Sequence, residues 1–211
     1  MSRIRLLLLV LLGFFPAIAF AQSSATQAEW LQSMRLGGHV IVLRHGATVS
    51  DSAVDPMSNP ARKAAAGERQ LSEAGRAQAK AVGEAMHKLK LPVSLVLTSP
   101  LQRAVDTGTL LGFGEVTTKP ELAEAGSAVS PEENKHRADA LRELVASRPP
   151  ADNNVVIVTH KPNLVEALGK DWSDVREGEA SIFEPDVTGH GYKLIVRVRA
   201  EEWAALLQAT Q

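Results

Sequence analysis

The chain has 211 residues, of which 45% are hydrophobic and 22% are charged, and its formal net charge at pH 7 is -1. These values are typical of an ordinary globular protein, and they disfavour a disordered chain or a strongly basic nucleic-acid binder. The sequence contains no cysteine, which excludes thiol nucleophiles, disulfides and cysteine-ligated metal sites.

The first 21 residues have the pattern of a secretory signal peptide. Two arginines within the first five residues precede an apolar stretch from Leu6 to Phe15, and Ala19 and Ala21 form a small-x-small cleavage pattern. The apolar stretch is short for a bilayer span, although an uncleaved N-terminal anchor is the alternative. The pattern predicts cleavage after Ala21, a periplasmic or secreted protein without stable membrane insertion, and a single mature domain over residues 22–211.

Four short apolar runs, separated by segments of helical periodicity, predict β-strands. They lie at residues 39–44, 94–98, 155–159 and 193–198. The middle two are apolar on both faces, which is typical of strands buried in a parallel sheet. The last run alternates apolar with basic residues, so we expect it at the edge of the sheet.

Helices are predicted between these runs. Ser72 is a candidate N-cap for a helix that ends near Leu89, and the expected buried stripe comprises Ala74, Ala77, Ala81, Ala85 and Leu89. Further helices are expected to begin at Pro100, after Ser130 and at Pro162. Strands that alternate with helices predict a three-layer α/β/α sandwich with a mostly parallel central sheet, in which functional groups gather at the carboxyl ends of the strands.

Two polar segments are expected to be surface loops. Residues 50–70 contain two prolines and little periodicity, and such an excursion often covers a site. Residues 171–179 form a similar loop, and nothing in their composition dictates chemistry.

Basic groups follow three of the predicted strands. The first strand ends in Arg44-His45-Gly46, Arg103 opens the helix after the second, and His160 follows the third. A lone histidine at a strand end is more often structural than catalytic, but two histidines and two arginines at one crevice would repel one another unless an anion binds there. Phosphate suits these groups because guanidinium groups bind its oxygens in pairs, and Gly46 allows the backbone to approach closely.

These motifs, taken with Ser99-Pro100-Leu101-Gln102-Arg103-Ala104, Leu122-Ala123-Glu124 and Thr159-His160, resemble the histidine phosphatase superfamily, the phosphoglycerate mutase-like proteins, over residues 39 to about 169. The resemblance implies a phosphoglycerate mutase-like fold and a metal-independent phosphomonoesterase without a cofactor. It implies that His45 becomes phosphorylated, that Arg44, Arg103 and His160 bind the phosphate, and that Glu124 is the general acid.

Several details narrow this interpretation. Ala47 and Gly126-Ser127-Ala128 stand where phosphoglycerate mutases have an acidic residue and a Gly-x-Trp-Glu-Gly-like stretch, which disfavours a mutase. Lys161 and Val49 fall where acid phosphatases and phytases of the superfamily's other branch have Asp and Arg, so the chain resembles the smaller branch-one phosphatases. Lys161, beside His160, is a candidate for a second anionic group of the substrate or an ordinary surface lysine. The carboxylates that compete with Glu124 as the acid are Glu115, Glu121, Glu132 and Glu133.

Two other functions stay open. The protein could bind phosphate or a phosphorylated ligand without catalysis, or His45 and His160 could be ligands of a metal ion. The substrate class extends from small phosphorylated molecules to glycolipid phosphates and phosphoproteins. Residues to which we assign no chemical role are His39, His87, His136 and His190, and three scattered tryptophans give no platform for nucleic acid.

Overall fold

The computed structural model describes residues 18–49, 68–186, 188 and 191–208. Residues 1–17 of the predicted signal peptide, most of the predicted loop at 50–70, and His190 therefore lie outside the described residues. The helices are α1 (Ile18–Leu36), α2 (Glu73–Lys88), α3 (Gln102–Leu110), α4 (Pro131–Ala146), α5 (Lys161–Leu168) and α6 (Glu202–Gln208). The strands are β1 (Val40–Arg44), β2 (Val93–Thr98), β3 (Val116–Thr118), β4 (Asn154–Thr159), β5 (Ala180–Pro185) and β6 (Tyr192–Val198).

The strands of the described chain form one six-stranded sheet in the order β3-β2-β4-β1-β5-β6. The first four are mutually parallel, whereas β5 runs antiparallel to both β1 and β6. β4 lies at the centre, and all six of its residues are buried, because Val, Ile and Asn side chains on both faces meet helices. The prediction of a mostly parallel sheet in a three-layer sandwich is confirmed, and β6 is an edge strand as expected.

Helices cover both faces of the sheet. One apolar cluster contains Leu31 and Met34 of α1, Met86 of α2 and Trp203 of α6. The cluster on the other face is built from α4 and α5, with Leu141 as one of its fully buried members. Among the described residues, none of the helices combines the length and the hydrophobicity of a membrane span.

The structure corrects the predicted stripe of α2. Ala74, Ala77 and Ala81 are exposed, and the face that packs inward contains Gly75, Ala79, Val82, Gly83, Ala85 and Met86. The helix is rotated by about one residue from the prediction because two glycines permit close backbone approach: a Cβ on Gly75 would overlap the carbonyl oxygen of Ala47, and one on Gly83 would overlap Leu111. Other helix boundaries differ less from the prediction. For example, α3 begins at Gln102 rather than at Pro100.

Two strands were not predicted. β3 has only three residues, and β5 combines Ala, Ser, Glu and Pro with two large apolar residues, so neither gives a clear period-two pattern. The predicted strand at 94–98 begins one residue earlier, and its first half is not buried, because Ser94 and Leu95 are exposed.

Candidate active site

The carboxyl ends of β1, β4 and β2 bring the sequence-predicted groups together. Arg44 and Thr159 are register partners on the adjacent strands β1 and β4, so the residues that follow them, His45 and His160, lie side by side. Their ring centroids are 5.2 Å apart. Ser99 follows β2, on the other side of β4, and Arg103 lies in the first turn of α3.

His45 is buried and held in one tautomer. Its Nδ1 lies 2.8 Å from the carbonyl oxygen of Gly46, and since a carbonyl only accepts, the proton is on Nδ1 and Nε2 keeps its lone pair. Burial, opposed by the Gly46 hydrogen bond and reinforced by the positive charges of Arg103 and Arg44, lowers the pKa of His45 to about 4. His45 is therefore a neutral imidazole over the physiological range.

His160 is fully buried at the N-cap of α5. Its Nε2 lies 2.7 Å from the Ser99 hydroxyl, which already accepts the backbone N–H of Leu101 and so has its own proton free to donate. That arrangement favours the proton of His160 on Nδ1, which has no hydrogen-bond partner among the residues that the structure describes. Burial, followed by the charge of Arg103, lowers the pKa of His160 to about 2.

Arg44 is fixed by the segment 171–179. Its guanidinium donates from Nη1 to the carbonyl of Val175 at 2.8 Å and from Nη2 to Glu177 at 3.3 Å. Glu177 also accepts a hydrogen bond from Thr48, at 3.1 Å. Residues 171–179, whose composition indicated no chemical role, therefore position Arg44. A glutamate in a polar loop has no sequence pattern from which its contact with Arg44 could be predicted. Burial lowers the pKa of Arg44, an effect that Glu177 opposes.

Arg103 joins two carboxylates to the site. Its side chain is 3% exposed, and Nη2 donates to Glu124 at 2.6 Å, while Nη1 lies 3.7 Å from Glu68. Glu124 is thus the member of its predicted group that contacts the site. Glu133 instead pairs with Arg137 at 2.8 Å, and Glu115 and Glu132 are exposed.

Gly46 and Lys161 also lie at this end of the sheet. The Gly46 N–H donates to the hydroxyl of Thr107 at 3.0 Å, and a Cβ on Gly46 would come within 2.9 Å of the Gly75 carbonyl oxygen. Glycine is therefore required there by packing against α2. Lys161 opens α5 beside His160, is partly exposed, and makes no hydrogen bond or ion pair within the described chain.

Arg69 and Gln78 are further supporting residues that the sequence does not single out. The exposed Arg69 adds positive charge that acts on His45, His160 and Arg44, and one arginine after a loop gives no recognisable pattern. Gln78 of α2 accepts the N–H of Ala47 at 3.2 Å and donates to the Glu177 carbonyl at 3.1 Å. A single glutamine on a helix has no sequence pattern from which these contacts could be predicted.

Three buried nitrogens at the site have no hydrogen-bond partner in the described chain. They are Nε of Arg44, Nε of Arg103 and Nδ1 of His160. Buried donors are nearly always satisfied, so three orphans around one nucleophile indicate a site for an anion with several acceptor oxygens. In the part of the chain that the structure describes, no group of three or more histidine or carboxylate side chains is placed to hold a metal ion.

A model of a known protein family matches part of the chain. The sequence model of the histidine phosphatase superfamily (branch 1) matches residues 40–127. The match includes Arg44, His45, Arg103 and Glu124 and ends before His160. No curated protein sequence matches the chain.

Solved structures share the fold at low sequence identity. The protein histidine phosphatase SixA complexed with tungstate is 18% identical, with a TM-score of 0.53, and the alignment covers 78% of this chain and 98% of SixA. A mycobacterial glucosyl-3-phosphoglycerate phosphatase is 21% identical, with a TM-score of 0.53 and coverage of 74% and 96%. A phosphoserine phosphatase variant from Entamoeba histolytica in complex with phosphoserine is 14% identical, with a TM-score of 0.52 and coverage of 77% and 98%. The phosphoglycerate mutase-like fold is therefore confirmed.

Proposed function

We propose that this protein is a phosphatase of the histidine phosphatase superfamily that hydrolyses a small phosphate monoester through a phosphohistidine on His45. The observation that carries the proposal is the pairing of a neutral, tautomer-fixed His45 with three buried donor nitrogens that lack partners within the described part of the chain. The family match over residues 40–127 and the phosphatases of the same fold support it.

In the first step the lone pair on Nε2 of His45 attacks phosphorus. The N–P bond forms as the ester P–O bond breaks, and the leaving oxygen takes a proton from the Glu124 carboxyl group. Arg44, Arg103 and His160 donate to the equatorial phosphoryl oxygens and stabilise their charge. Arg103 contacts Glu124 in the free protein, so the same guanidinium places the acid beside the phosphoryl group.

The second step returns the enzyme to its starting state. Glu124, now a carboxylate, takes a proton from water, and the hydroxide oxygen attacks phosphorus as the P–N bond breaks. Inorganic phosphate leaves, and His45 is again neutral with its proton on Nδ1. Both steps balance without a metal ion or an organic cofactor.

We propose that residues 1–21 direct the chain to the periplasm or the exterior and are removed after Ala21. Lys161 and Arg69 are the cations that would face the remainder of the substrate, which favours a substrate with a further anionic or polar group beyond the scissile phosphate.

The test compares phosphate release by the wild-type protein and His45→Ala in the presence of a chelator. We expect turnover of an aryl phosphate by the wild type and a loss of at least about a thousandfold in His45→Ala. After a rapid acid-free quench, the wild type should also carry an acid-labile phosphoryl group. Full activity in His45→Ala, or activity abolished by the chelator, would contradict the mechanism.

His39→Ala is the matched control. His39 is a buried, hydrogen-bonded histidine at the opposite end of β1, so its loss perturbs the same strand without touching the pocket. It should retain turnover. If neither wild type nor variants turn over any phosphate ester, while phosphate still raises the unfolding temperature, the protein binds phosphate without catalysis.

A further inference from the structure

The loop that carries Glu124 is bound to the protein through its backbone. The side chains of Leu122 and Ala125 are buried, and the carbonyl of Leu122 accepts a hydrogen bond from Thr159 at 3.1 Å. The carbonyl of Glu124 itself accepts from Arg137 at 2.6 Å. Glu124 is thus a partly exposed side chain on a rigidly held backbone, which is how a precisely placed acid is built.

Asn163 makes the contacts that flank Glu124 on both sides. Its Nδ2 donates to the carbonyl of Ala123 at 2.8 Å, and its Oδ1 accepts the N–H of Ala125 at 3.0 Å. The side chain is fully buried in α5. The orientation of the amide is dictated, because Ala123 offers only an acceptor and Ala125 only a donor.

Asn163 also lies three residues after His160, at the start of the same helix. Residues 159–163 therefore place His160 at the phosphate pocket. Through Thr159 and Asn163, they also form hydrogen bonds with the backbone of the Glu124 loop. A rigid helix turn thus fixes the distance between the group that binds the phosphoryl oxygens and the acid that protonates the leaving group. Sequence reasoning gave no role to Asn163.

We infer that Asn163 is a positioning residue that aligns the Glu124 carboxyl with the leaving-group oxygen. The inference rests on the proposed function. Its consequence is specific: misplacing the acid penalises poor leaving groups, which need a proton, more than good leaving groups, which do not. A purely structural role of Asn163 would lower both rates by the same factor.

The experiment compares kcat/KM on phenyl phosphate, a poor leaving group, with p-nitrophenyl phosphate, a good one of similar size. Asn163→Asp keeps the acceptor for Ala125 but replaces the donor to Ala123 with an oxygen that repels its carbonyl. We expect the phenyl to p-nitrophenyl ratio to fall about tenfold in this variant and further in Glu124→Gln. In a Glu124→Gln background, Asn163→Asp should leave the ratio unchanged.

Asn154→Asp is the matched control. Asn154 is a fully buried asparagine at the opposite end of β4, with its Oδ1 on the N–H of His39 and its Nδ2 on the carbonyls of Met34 and Pro92. The same substitution breaks the same kind of bonds away from the pocket, so the ratio should stay at the wild-type value. The alanine pair, Asn163→Ala and Asn154→Ala, repeats the comparison without an added charge.

The outcomes separate the inference from the function on which it rests. A wild-type ratio in both Asn163 variants, with turnover that still depends on His45, overturns the positioning role alone. A further fall of the ratio in the Glu124→Gln background would also overturn it. Absence of turnover in the wild-type protein overturns the proposed function, and the positioning role with it.

Discussion

At the scale of single residues, the protonation state of His45 links burial to chemistry. The residue is 1% exposed and the charges of Arg103 and Arg44 act on it, so the proton that an exposed histidine would take up near pH 6.5 is taken up only near pH 4. The same burial that makes the imidazole a nucleophile makes its charged form costly. A cationic site of this kind is stable without an anion because its histidines stay neutral.

This arrangement predicts how stability depends on pH. The unfolded chain binds a proton at each of these histidines near pH 6.5, whereas the folded chain does so only near 4 for His45 and 2 for His160. Between about pH 6.5 and 4 the unfolded state holds more protons, so the free energy of unfolding falls as pH falls, by about 1 kcal/mol per pH unit for each histidine. Above pH 6.5 neither contributes to the slope.

The measurement is urea unfolding at several pH values for the wild type and His45→Asn. We expect the variant to lose less stability than the wild type between about pH 6.5 and 4.5, since one of the two titrating groups is gone. The two curves should run parallel above pH 7. Parallel curves over the whole range would show that His45 titrates alike in both states.

The residues of the site differ in how far the sequence could predict them. His45, Arg44 and His160 stand at strand ends, where parallel topology must gather them, and so they could be placed from pattern alone. Glu177 could not, because its role depends on a loop conformation that brings it back to β1. The role of Asn163 could not be predicted for a related reason: its partners are backbone atoms of a distant loop, which carry no sequence signature.

At the scale of elements, the contact between α2 and the loop after β1 depends on glycine. Gly75 lies inside α2, where glycine normally costs about 1 kcal/mol relative to alanine. Here a Cβ would overlap the carbonyl oxygen of Ala47, two residues after His45. Helix propensity therefore predicts that Gly75→Ala raises the free energy of unfolding, whereas packing predicts that it lowers it. Because the overlap is with backbone atoms, we expect the packing effect to be the larger of the two.

We predict that Gly75→Ala lowers the free energy of unfolding by about 2 kcal/mol or more and lowers kcat, because the backbone beside His45 must move. Chemical denaturation and turnover of an aryl phosphate measure the two effects. Ala81→Gly, at an exposed interior position of the same helix, is the control and should cost about 1 kcal/mol with normal turnover. A stabilised Gly75→Ala would show that propensity outweighs the contact.

The elements that the sequence predicted well are those with a single dominant pattern. The apolar run of β4 and the Ser72 cap of α2 both appear where expected, and Ser72 accepts the Gly75 N–H at 3.0 Å. The buried face of α2 was mispredicted because alanines occur on both the buried and the exposed face of a helix. The glycines determine which face of α2 packs inward, but their effect can be recognised only when the neighbouring backbone is known. β5 was missed because its Ala-Ser-Ile-Phe-Glu-Pro sequence gives neither a clear period-two pattern nor a long apolar run.

At the scale of the whole molecule, the end of α1 belongs to the folded domain. Leu31 and Met34 are 1% and 0% exposed in the apolar cluster, and Arg35 donates to the carbonyl of Leu89 at 2.9 Å. Asn154 at the start of β4 donates to the carbonyl of Met34 at 2.8 Å. The proposed cleavage after Ala21 falls ten residues before Leu31, so it leaves every one of these contacts in place.

The two ends of α1 should therefore respond differently to truncation. A chain that begins at Gln22 should fold and turn over substrate, whereas a chain that begins at Gly37 loses the burial of Leu31 and Met34, each worth about 2 to 5 kcal/mol. That loss is comparable to the whole stability of a typical domain, so the shorter chain should be largely unfolded. Urea unfolding of both chains measures the difference, and equal midpoints would contradict the role given to α1.

Expression of the full sequence in a bacterium, followed by intact mass analysis of the exported protein, tests the cleavage itself. An N-terminus at Gln22 supports the signal peptide, and a retained leader supports the anchor.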